Sequence, residues 1–388
     1  MNSKQTTILV IWIVLLINGL SFLALNYYVN NVVLVGAENW VQELVSKKII
    51  EKKIIETNNI TDMESTITKT IENTLDSVVS IMITKDIQYY YADPFSNNSY
   101  VENKKEKVWG WTGIIINANG YILTNKHVIA DPNSTYSVLL KNGDVLLVDK
   151  IWKDPVLDLA MLHVINQDSS LAYNLEAAEI IDFQSDVKIW QFVIAIGNAL
   201  AEYDNSVTLG ILSAKGRELE SGQNSLYMWL YQTDAAINPG NSGWPLMDIR
   251  WQVIGINTAI TSQWQWVGFV LPINKQMVDT TLESIKKYWS IKRPHIWIQF
   301  TMLNKTMAKQ NKLEKYEWAL VTAVESNSPG YLAGLRKEDI IMKVGNMTID
   351  NNTTLIQSLY THSPDDMLTL LVWRDGENKE FKLKLGLR

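Results

Sequence analysis

The sequence predicts an all-β domain, an antiparallel sandwich or barrel, with an apolar helix before it and a small α+β unit after it. Three observations carry this prediction: an 18-residue apolar run over 8–25, many short β-rich runs between residues 77 and 271, and a mixed segment after Arg293-Pro294. Strands at such close spacing, with no helical pattern between them, favour antiparallel pairing over βαβ units. With 388 residues and 47% hydrophobic content, the chain can form more than one core.

The apolar run over 8–25 is long enough to cross a membrane. As a helix it would measure about 27 Å, close to the thickness of the hydrocarbon core. Lys4 precedes it and no positive cluster follows before Lys47, which predicts a cytoplasmic N-terminus and an extracytoplasmic remainder. The alternative is a cleaved signal peptide, with a small-residue cleavage site at 35–37. We expect a retained anchor over residues 1–30.

The next segment, residues 31–69, is predicted to be a stalk between the membrane and the folded domain. Apolar residues from Val41 to Ile50 follow helical spacing, and Asn- and Thr-rich sequence comes after them.

Residues 70–289 form the predicted β domain. Its strands are expected at 77–83, 113–116, 121–124, 137–140, 144–149, 159–164, 192–196, 207–214, 253–259 and 267–271. The polar and aromatic stretch 89–107 is predicted to be a long mobile loop. A helix over 274–288, following Pro272, is expected to end the domain.

Residues 290–388 are predicted to be a separate α+β domain. Strands are expected near 319–324 and 339–344, with a helix over 353–360. The stretch 328–335 indicates a short helix leading into a turn.

Composition argues against several functions. The net charge is −6 and the Lys and Arg residues are scattered, so we expect no nucleic-acid partner. There is no cysteine, and the four histidines are far apart in the sequence. We therefore expect neither a metal site nor another cofactor.

The motif Gly240-Asn241-Ser242-Gly243, reached through Pro239, is the strongest candidate for chemistry. A serine between glycines can sit on a tight loop with backbone N–H groups converging beside it. An acyl-transfer nucleophile needs this arrangement. An ordinary turn is the other interpretation of the same residues.

Two histidines in the β domain, His127 and His163, could serve as a base for Ser242. His127 follows a predicted strand at its polar end, whereas His163 lies within an alternating strand. Asp158 begins an apolar strand, where its carboxylate could orient an imidazole. His127, Asp158 and Ser242 occur in the order used by the triad on chymotrypsin-type barrels.

Four motifs together resemble the HtrA (Deg) family of trypsin-like serine proteases, and residues 290–388 resemble its PDZ domain. They are Thr124-Asn125-Lys126-His127-Val128, Asp158-Leu159-Ala160, Gly240-Asn241-Ser242-Gly243 and Ile254-Gly255-Ile256-Asn257-Thr258. The resemblance implies an all-β double six-stranded barrel of the chymotrypsin type plus a small α+β PDZ domain. It also implies an ATP-independent endopeptidase acting on unfolded or damaged proteins, commonly as a homotrimer.

The resemblance also assigns roles to residues. His127 would be general base and then acid, Asp158 its orienting carboxylate and Ser242 the nucleophile. Gly240, Asn241 and Ser242 would form the oxyanion-hole turn, with the N–H groups of the first and last as donors. Ile256, Asn257 and Thr258 would line the specificity pocket, where the absence of an acidic residue predicts cleavage after small or medium aliphatic side chains.

In the PDZ domain, the resemblance implies a loop whose N–H groups hold the carboxylate of a peptide C-terminus. Its residues would be His295, Ile296, Trp297 and Ile298. A protein of another class remains open: a catalytically silent barrel-plus-PDZ chaperone or sensor that binds exposed C-termini.

Tryptophan stands where the family pattern has glycine at ten positions. They are Trp111, Trp152, Trp190, Trp244, Trp251, Trp264, Trp266, Trp289, Trp297 and Trp318. The chain has 15 tryptophans and 19 glycines, whereas average usage predicts about 27 glycines. Our hypothesis is that these positions are UGA codons read as glycine in the source organism. The alternative is a Trp-rich protein that uses aromatic side chains for a partner surface. The sequence does not decide between tryptophan and glycine at five further positions, which are Trp12, Trp40, Trp109, Trp229 and Trp373.

Overall fold

A computed structural model describes residues 3–92, 99–166, 175–197, 206–221, 225–237, 241–258, 267–303, 305–310, 313, 316–350 and 353–388. These residues fall into two compact units, 1–68 and 69–388, and each is described by itself.

The N-terminal unit is helical. Helix α1, Ser3–Tyr28, passes through a short π-helical stretch, Val29–Val33, into helix α2, Leu34–Thr74. The 28 residues Thr6–Val33 are long and apolar enough to cross a membrane, and their most apolar part is not buried within the protein. The predicted span 8–25 lies inside this stretch.

Six antiparallel strands close into the first barrel. They are β1 Val78–Ala92, β2 Ser99–Ile115, β3 Tyr121–Thr124, β4 Thr135–Leu139, β5 Val145–Lys153 and β6 Ala160–Ile165. The order around the barrel is β1-β2-β3-β6-β5-β4. Ile81, Ile122, Leu162 and Val164 are among the fully buried residues of its core, because β-branched and aliphatic residues at alternating positions share one face of a strand.

A second group of strands follows in the same unit. They are β7 Glu179–Ile180, β8 Phe192–Gly197, β9 Ser206–Ser221, β10 Ser225–Thr233, β11 Pro245–Asp248, β12 Gln252–Thr258 and β13 Gly268–Pro272. Strands β11-β8-β9-β10-β13-β12 are joined in that order, and pairing of β11 with β12 closes them into a second six-stranded barrel. Strand β7 adds to β12 in parallel. The prediction of two six-stranded barrels is confirmed.

The prediction of a mobile loop over 89–107 is wrong. Strands β1 and β2 pair continuously from Val78 opposite Ile114 to Ala92 opposite Ser99, with one irregularity at Ile83/Thr84. Residues 89–92 and 99–107 therefore belong to a long antiparallel ribbon, and residues 93–98 lie outside the described part. Tyr89, Tyr90, Tyr91, Tyr100 and Val101 favour a strand, but the polar residues between and after them hide an alternating apolar pattern.

The helix predicted over 274–288 is present as α3, Lys275–Tyr288. The Asn274 side chain accepts a hydrogen bond from the N–H of Met277 and so caps the helix. Lys286 and Lys287 lie in the last turn, where positive charge interacts favourably with the helix dipole.

The final α+β unit has eight strands and three short helices among the described residues. They are β14 Pro294–His295, β15 Ile298–Met302, α4 Lys305–Gln310, β16 Ala319–Val324, α5 Pro329–Leu332, β17 Ile340–Val344, β18 Met347–Thr348, α6 Leu355–Leu359, β19 Met367–Arg374, β20 Glu377–Lys384 and β21 Gly386–Leu387. The main sheet has the order β15-β16-β17-β19-β20. Strand β15 is therefore an edge strand among the described residues.

Five tryptophans have left-handed backbone angles. Their φ values are 71° at Trp190, 62° at Trp229, 73° at Trp251, 53° at Trp289 and 51° at Trp297. This conformation costs a residue with a Cβ roughly 1–2 kcal/mol, so five such sites cost about 5–10 kcal/mol, comparable with a typical total stability of about 5–15 kcal/mol. Trp264 and Trp266 lie outside the described residues.

Candidate active site

His127 and Asp158 form a close pair on the first barrel. His127 lies on a short 3₁₀ helix, Lys126–Ile129, directly after β3, and Asp158 lies just before β6. The His127 Nδ1 atom is 2.7 Å from Asp158 Oδ2, and the His127 backbone N–H donates to Asp158 Oδ1 at 3.0 Å. A proton on Nδ1 would leave Nε2 unprotonated and able to act as a base.

The Asp158 carboxylate is held by several donors in a buried position. Its side chain is 5% exposed, and the Thr258 hydroxyl donates to Oδ2 at 3.0 Å. Burial raises the pKa of Asp158, but the hydrogen bonds from His127 and Thr258 and the charge of His127 outweigh it and hold the pKa below its ordinary value. Asp158 is therefore ionised at neutral pH.

Ser242 lies on a tightly packed turn after β10. Its carbonyl accepts from the Thr112 N–H at 3.4 Å, and the Gly243 N–H donates to the Asn257 carbonyl at 3.1 Å. Gly243 has φ +89°, and a Cβ there would lie 1.8 Å from the Thr112 carbonyl oxygen. Only glycine fits this position, because both the backbone angle and the space exclude a side chain.

The same contacts bring Ser242 to the side of the barrels where His127 and Asp158 lie. Thr112, which bonds to the Ser242 carbonyl, follows Trp111, whose ring packs edge-on against His127 with centroids 5.9 Å apart. On the other barrel, Thr258, which binds Asp158, follows Asn257, which accepts from Gly243. The turn of Ser242 is therefore linked to His127 and Asp158 through neighbouring residues on the two barrels, and the meeting of the three side chains stays a prediction.

The imidazole of His163 contacts a different carboxylate, that of Asp149. Its Nδ1 is 2.6 Å from Asp149 Oδ1, and Tyr121 packs edge-on against its ring at 5.1 Å. Of the two candidate bases, His127 is the one that contacts Asp158.

Family comparisons agree with this architecture. A trypsin-like peptidase domain matches residues 111–256, and a PDZ domain matches residues 294–385. The chain is 32% identical over 301 residues to a probable periplasmic serine endoprotease, DegP-like, of Bartonella henselae. It is 34% identical over 302 residues to the corresponding protein of Chlamydia pneumoniae. The chain belongs to the HtrA (Deg) family of trypsin-like serine proteases.

These HtrA alignments cover different shares of the two chains. They include 76% and 74% of this chain but 57% and 58% of the relatives, so the chain spans somewhat more than half the length of the curated relatives it matches. Among solved structures, the HtrA-type protease AlgW with a decapeptide matches with a TM-score of 0.58 and 26% identity. That match covers 83% of this chain and 98% of AlgW.

The predicted oxyanion-hole turn is partly described. Gly240 lies outside the described residues. Asn241 is buried, its amide donates to the Ala236 carbonyl at 3.2 Å, and its own carbonyl accepts from the Trp244 N–H at 3.1 Å. Ser242 is completely buried. The assignment of the HtrA oxyanion hole to this turn stays a prediction.

The three residues predicted to line the HtrA specificity pocket lie together at the end of β12. Ile256, Asn257 and Thr258 are each at most 1% exposed. The Thr258 hydroxyl points to Asp158, and the Asn257 amide has no side-chain partner among the described residues. Their role in the pocket stays a prediction, whereas the contact of Thr258 with Asp158 is a second role that its position in the motif did not suggest.

Trp244 occupies a place where an HtrA chain is expected to have glycine. It is 1% exposed and packs in the core of the second barrel with Val193, Ala195 and Leu246. Its ring covers Gly197, where a Cβ would lie 2.1 Å from the indole nitrogen. That nitrogen is buried with no hydrogen-bond partner among the described residues, which is unfavourable for an indole.

The predicted carboxylate loop of the PDZ domain leads directly into β15, which is an edge strand in the part of the chain that the structure describes. The Trp297 N–H donates to His295 Nδ1 at 2.8 Å, and the Ile296 carbonyl accepts from the Gly330 N–H at 3.1 Å. Burial, followed by the charge of Arg388, lowers the pKa of His295 to about 4. His295 is therefore neutral at pH 7, and the Trp297 N–H already has a partner. The loop's role in binding a carboxylate stays a prediction.

Sequence reasoning missed one group of residues near the site. Asp154, four positions before Asp158, forms a buried ion pair with Arg293, with Arg293 Nε 2.6 Å from Asp154 Oδ2. The only signal in the sequence is the Arg293-Pro294 pair, which by itself indicates a domain boundary.

Proposed function

We propose that this chain is a serine endopeptidase that works through an acyl-enzyme. The observation that carries the proposal is the buried Asp158 carboxylate, 2.7 Å from His127 Nδ1. The Ser242 turn is linked to this pair through Asn257, which accepts from Gly243 and precedes the Thr258 that donates to Asp158. Membership of the HtrA family supports it, as do relatives described as probable periplasmic serine endoproteases.

In the proposed mechanism, the Ser242 hydroxyl attacks the scissile carbonyl while its proton moves to His127 Nε2. Asp158 keeps the ring in the correct tautomer and stabilises the imidazolium that forms. The C–N bond then breaks, and His127 gives its proton to the leaving amine. A water molecule, deprotonated by His127, hydrolyses the acyl-enzyme and restores Ser242.

The proposed oxyanion hole uses the N–H groups of Gly240 and Ser242 in the Gly240-Asn241-Ser242 turn. Loss of one such donor typically lowers turnover by about 10²–10³-fold. Ile256, Asn257 and Thr258 form the proposed specificity pocket. With no carboxylate among them, the pocket suits small or medium aliphatic side chains better than Lys or Arg.

The proposed substrates are unfolded or damaged proteins, whose extended segments can enter a cleft between barrels. The PDZ domain regulates the protease by binding a peptide C-terminus as an added strand on β15, with its carboxylate at residues 295–298. The AlgW structures in complex with a decapeptide and with a tripeptide support peptide binding in this family. Cleavage needs no ATP.

The proposed location is the cell membrane, with a single span near the N-terminus and the protease domain outside the cytoplasm. The apolar helix over Thr6–Val33 and the periplasmic description of the relatives support this location. The assembly proposed from the family is a homotrimer. Residues 1–30 would be the anchor, 31–69 the stalk, 70–289 the protease domain and 290–388 the PDZ domain.

The deciding experiment compares the full chain in detergent with its Ser242→Ala variant on unfolded casein. We expect peptide products from the wild type and at most trace cleavage from the variant, with the same thermal melting curve for both. Equal cleavage rates from the wild type and Ser242→Ala would contradict the proposal that this chain is a serine protease.

Trp244 favours a second candidate function. If residue 244 is tryptophan in the natural protein, its indole fills the space over Gly197, two residues after Ser242. That would argue for a catalytically silent chaperone or sensor that binds exposed C-termini. Suppression of casein aggregation by both the wild type and Ser242→Ala, without any cleavage, would support this alternative.

A further inference from the structure

Arg293 is one of the largest side chains that the protein buries completely. It lies where the protease domain joins the PDZ domain, and its charge faces Asp154, which is 1% exposed. The distance from Arg293 Nε to Asp154 Oδ2 is 2.6 Å. A buried ion pair has a high desolvation cost, so its presence is weak evidence for stability alone.

Asp154 organises the loop that carries Asp158. Its Oδ1 accepts the N–H groups of Val156 and Leu157, both at 2.8 Å, and its own N–H donates to the Leu159 carbonyl at 2.9 Å. These bonds close the turn around Asp158 from both sides. The position of the Asp158 carboxylate therefore depends on Asp154.

Asp154 also contacts the segment that carries His127. The Lys126 ammonium group donates to the Asp154 carbonyl at 2.9 Å, and Lys126 is the neighbour of His127. Asp154 thus contacts the segments that carry both partners of the His127–Asp158 pair, through its carbonyl on one side and through its Oδ1 and N–H on the other.

On its other side, Arg293 contacts the PDZ domain. Its guanidinium lies 5.1 Å from the centre of the Tyr360 ring, at the end of α6. The backbone of Arg293 exchanges two hydrogen bonds with Arg388, at 3.0 and 3.1 Å. The Tyr360 carbonyl in turn accepts from the Thr280 hydroxyl of α3 at 3.1 Å.

We infer that Arg293 is a positioning residue for the proposed reaction: through Asp154 it fixes the loop that presents Asp158 to His127, and it ties this loop to the PDZ domain. The inference rests on the proposed function. A second carboxylate and a guanidinium, neither of which touches the substrate, would then set the geometry of the triad.

The test uses the full chain with the double substitution Asp154→Asn and Arg293→Met. Asparagine keeps the Oδ1 acceptor for Val156 and Leu157, and methionine fills much of the arginine volume, so no charge is left buried without a partner. Two readouts are needed: the downfield proton resonance of His127 Nδ1–H, and kcat and KM for casein cleavage.

We expect the double variant to fold, to shift or broaden the His127 resonance, and to lose about 10- to 100-fold in kcat with little change in KM. If the double variant does not fold, the same two measurements are made on Arg293→Lys, which keeps the positive charge but loses the guanidinium geometry. A folded variant with an unchanged resonance and unchanged kcat would overturn the inference.

A matched control is available within the PDZ domain. Arg374 binds the buried Asp339, with Nη2 2.6 Å from Oδ2, and its guanidinium lies 4.5 Å from the Phe381 ring centre. The variant Asp339→Asn with Arg374→Met removes a similar pair that does not touch the loop of Asp158, and we expect it to leave the resonance unchanged. If the wild type shows no Ser242-dependent cleavage, the proposed function fails, while the resonance still tests the position of Asp158.

A second inference comes from the left-handed tryptophans and does not depend on the proposed function. Nine residues other than glycine have positive φ in the described part of the chain, and five of them are tryptophan. The other four are Asn327, Glu338, Asp365 and Asp375. Asn and Asp tolerate this conformation through local hydrogen bonds, whereas tryptophan has no such compensation.

The environments of these tryptophans resemble glycine sites. Trp289 ends α3, where its N–H donates to the Ile285 carbonyl at 2.9 Å, a position at which helices usually have glycine. Trp190 and Trp289 are 78% and 70% exposed, so their rings add little to the core. The ring of Trp297 lies against Gly386, where a Cβ would be 2.1 Å from it.

We infer that the natural polypeptide has glycine at Trp190, Trp229, Trp251, Trp289 and Trp297. Four of these were predicted from sequence, and the backbone angle adds Trp229, which the sequence left ambiguous. The test is the codon at each position, together with tandem mass spectrometry of the protein from its source cells. We expect UGA codons and peptides containing glycine. UGG codons, or peptides containing tryptophan, would overturn the inference and favour an aromatic partner surface.

Discussion

Thr258 Oγ1 donates a hydrogen bond of 3.0 Å to Asp158 Oδ2, the same oxygen that lies 2.7 Å from His127 Nδ1. The two residues come from different barrels and are 100 positions apart in sequence. The second barrel therefore orients the carboxylate that faces the histidine of the first. A shift of one barrel against the other would change the geometry of the His127–Asp158 pair.

Substituting Thr258 by valine removes the donor to Asp158 with little change in volume. We expect kcat for casein cleavage to fall about 10- to 100-fold, because a hydrogen bond to a charged group contributes about 1.5–3 kcal/mol. Thr258→Ser keeps the hydroxyl and should retain most of the activity. Equal activities of the valine and serine variants would show that this bond does not contribute.

Asp158→Asn should lower kcat by about 10⁴-fold, because asparagine favours the wrong tautomer of the imidazole. The measurement is the initial rate of casein cleavage at pH 7.5. Asp149→Asn is the matched control, since Asp149 makes the same kind of contact with His163, and we expect it to leave the rate unchanged. A comparable loss in the control would mean that the wrong histidine has been assigned as the base.

The stability of the chain should depend on His295 at mildly acidic pH. Its pKa is lowered to about 4 in the folded protein, whereas it is about 6.5 in an unfolded chain. Between these values the unfolded state binds a proton that the folded state does not, so stability falls as the pH decreases through this window. Above pH 6.5 and below pH 4, the contribution of His295 to the free energy of unfolding does not change with pH.

The measurement is the melting temperature of the wild type and of His295→Asn at pH 7 and pH 5. Asparagine can accept the hydrogen bond from Trp297 N–H but does not titrate. We expect the wild type to lose more stability than the variant between the two pH values. Parallel losses would contradict the assignment to His295.

Trp289→Gly should raise the free energy of unfolding by about 1 kcal/mol, because it relieves a left-handed backbone at the end of α3. The measurement is chemical unfolding of the purified chain. Trp373→Gly is the control: Trp373 lies within β19, opposite Ile340, and glycine there should destabilise by roughly 1 kcal/mol. Destabilisation by both substitutions would argue that Trp289 is a native tryptophan.

The sequence by itself determined the fold class, the family and the three residues proposed for catalysis. Periodic β-rich runs and turn residues are local signals, and the motifs around His127, Asp158 and Ser242 are short and specific in combination. The helix ending at Tyr288 could be predicted because its cap at Asn274 and its apolar face also lie within one short segment.

Only the tertiary structure decided which side chains meet. The ribbon formed by β1 and β2 was missed because its strands are stabilised by pairing with each other rather than by an apolar pattern within each strand. The contact of Thr258 with Asp158 and the ion pair of Asp154 with Arg293 join residues 100 and 139 positions apart. Such contacts depend on how barrels and domains pack, and no local spacing encodes them.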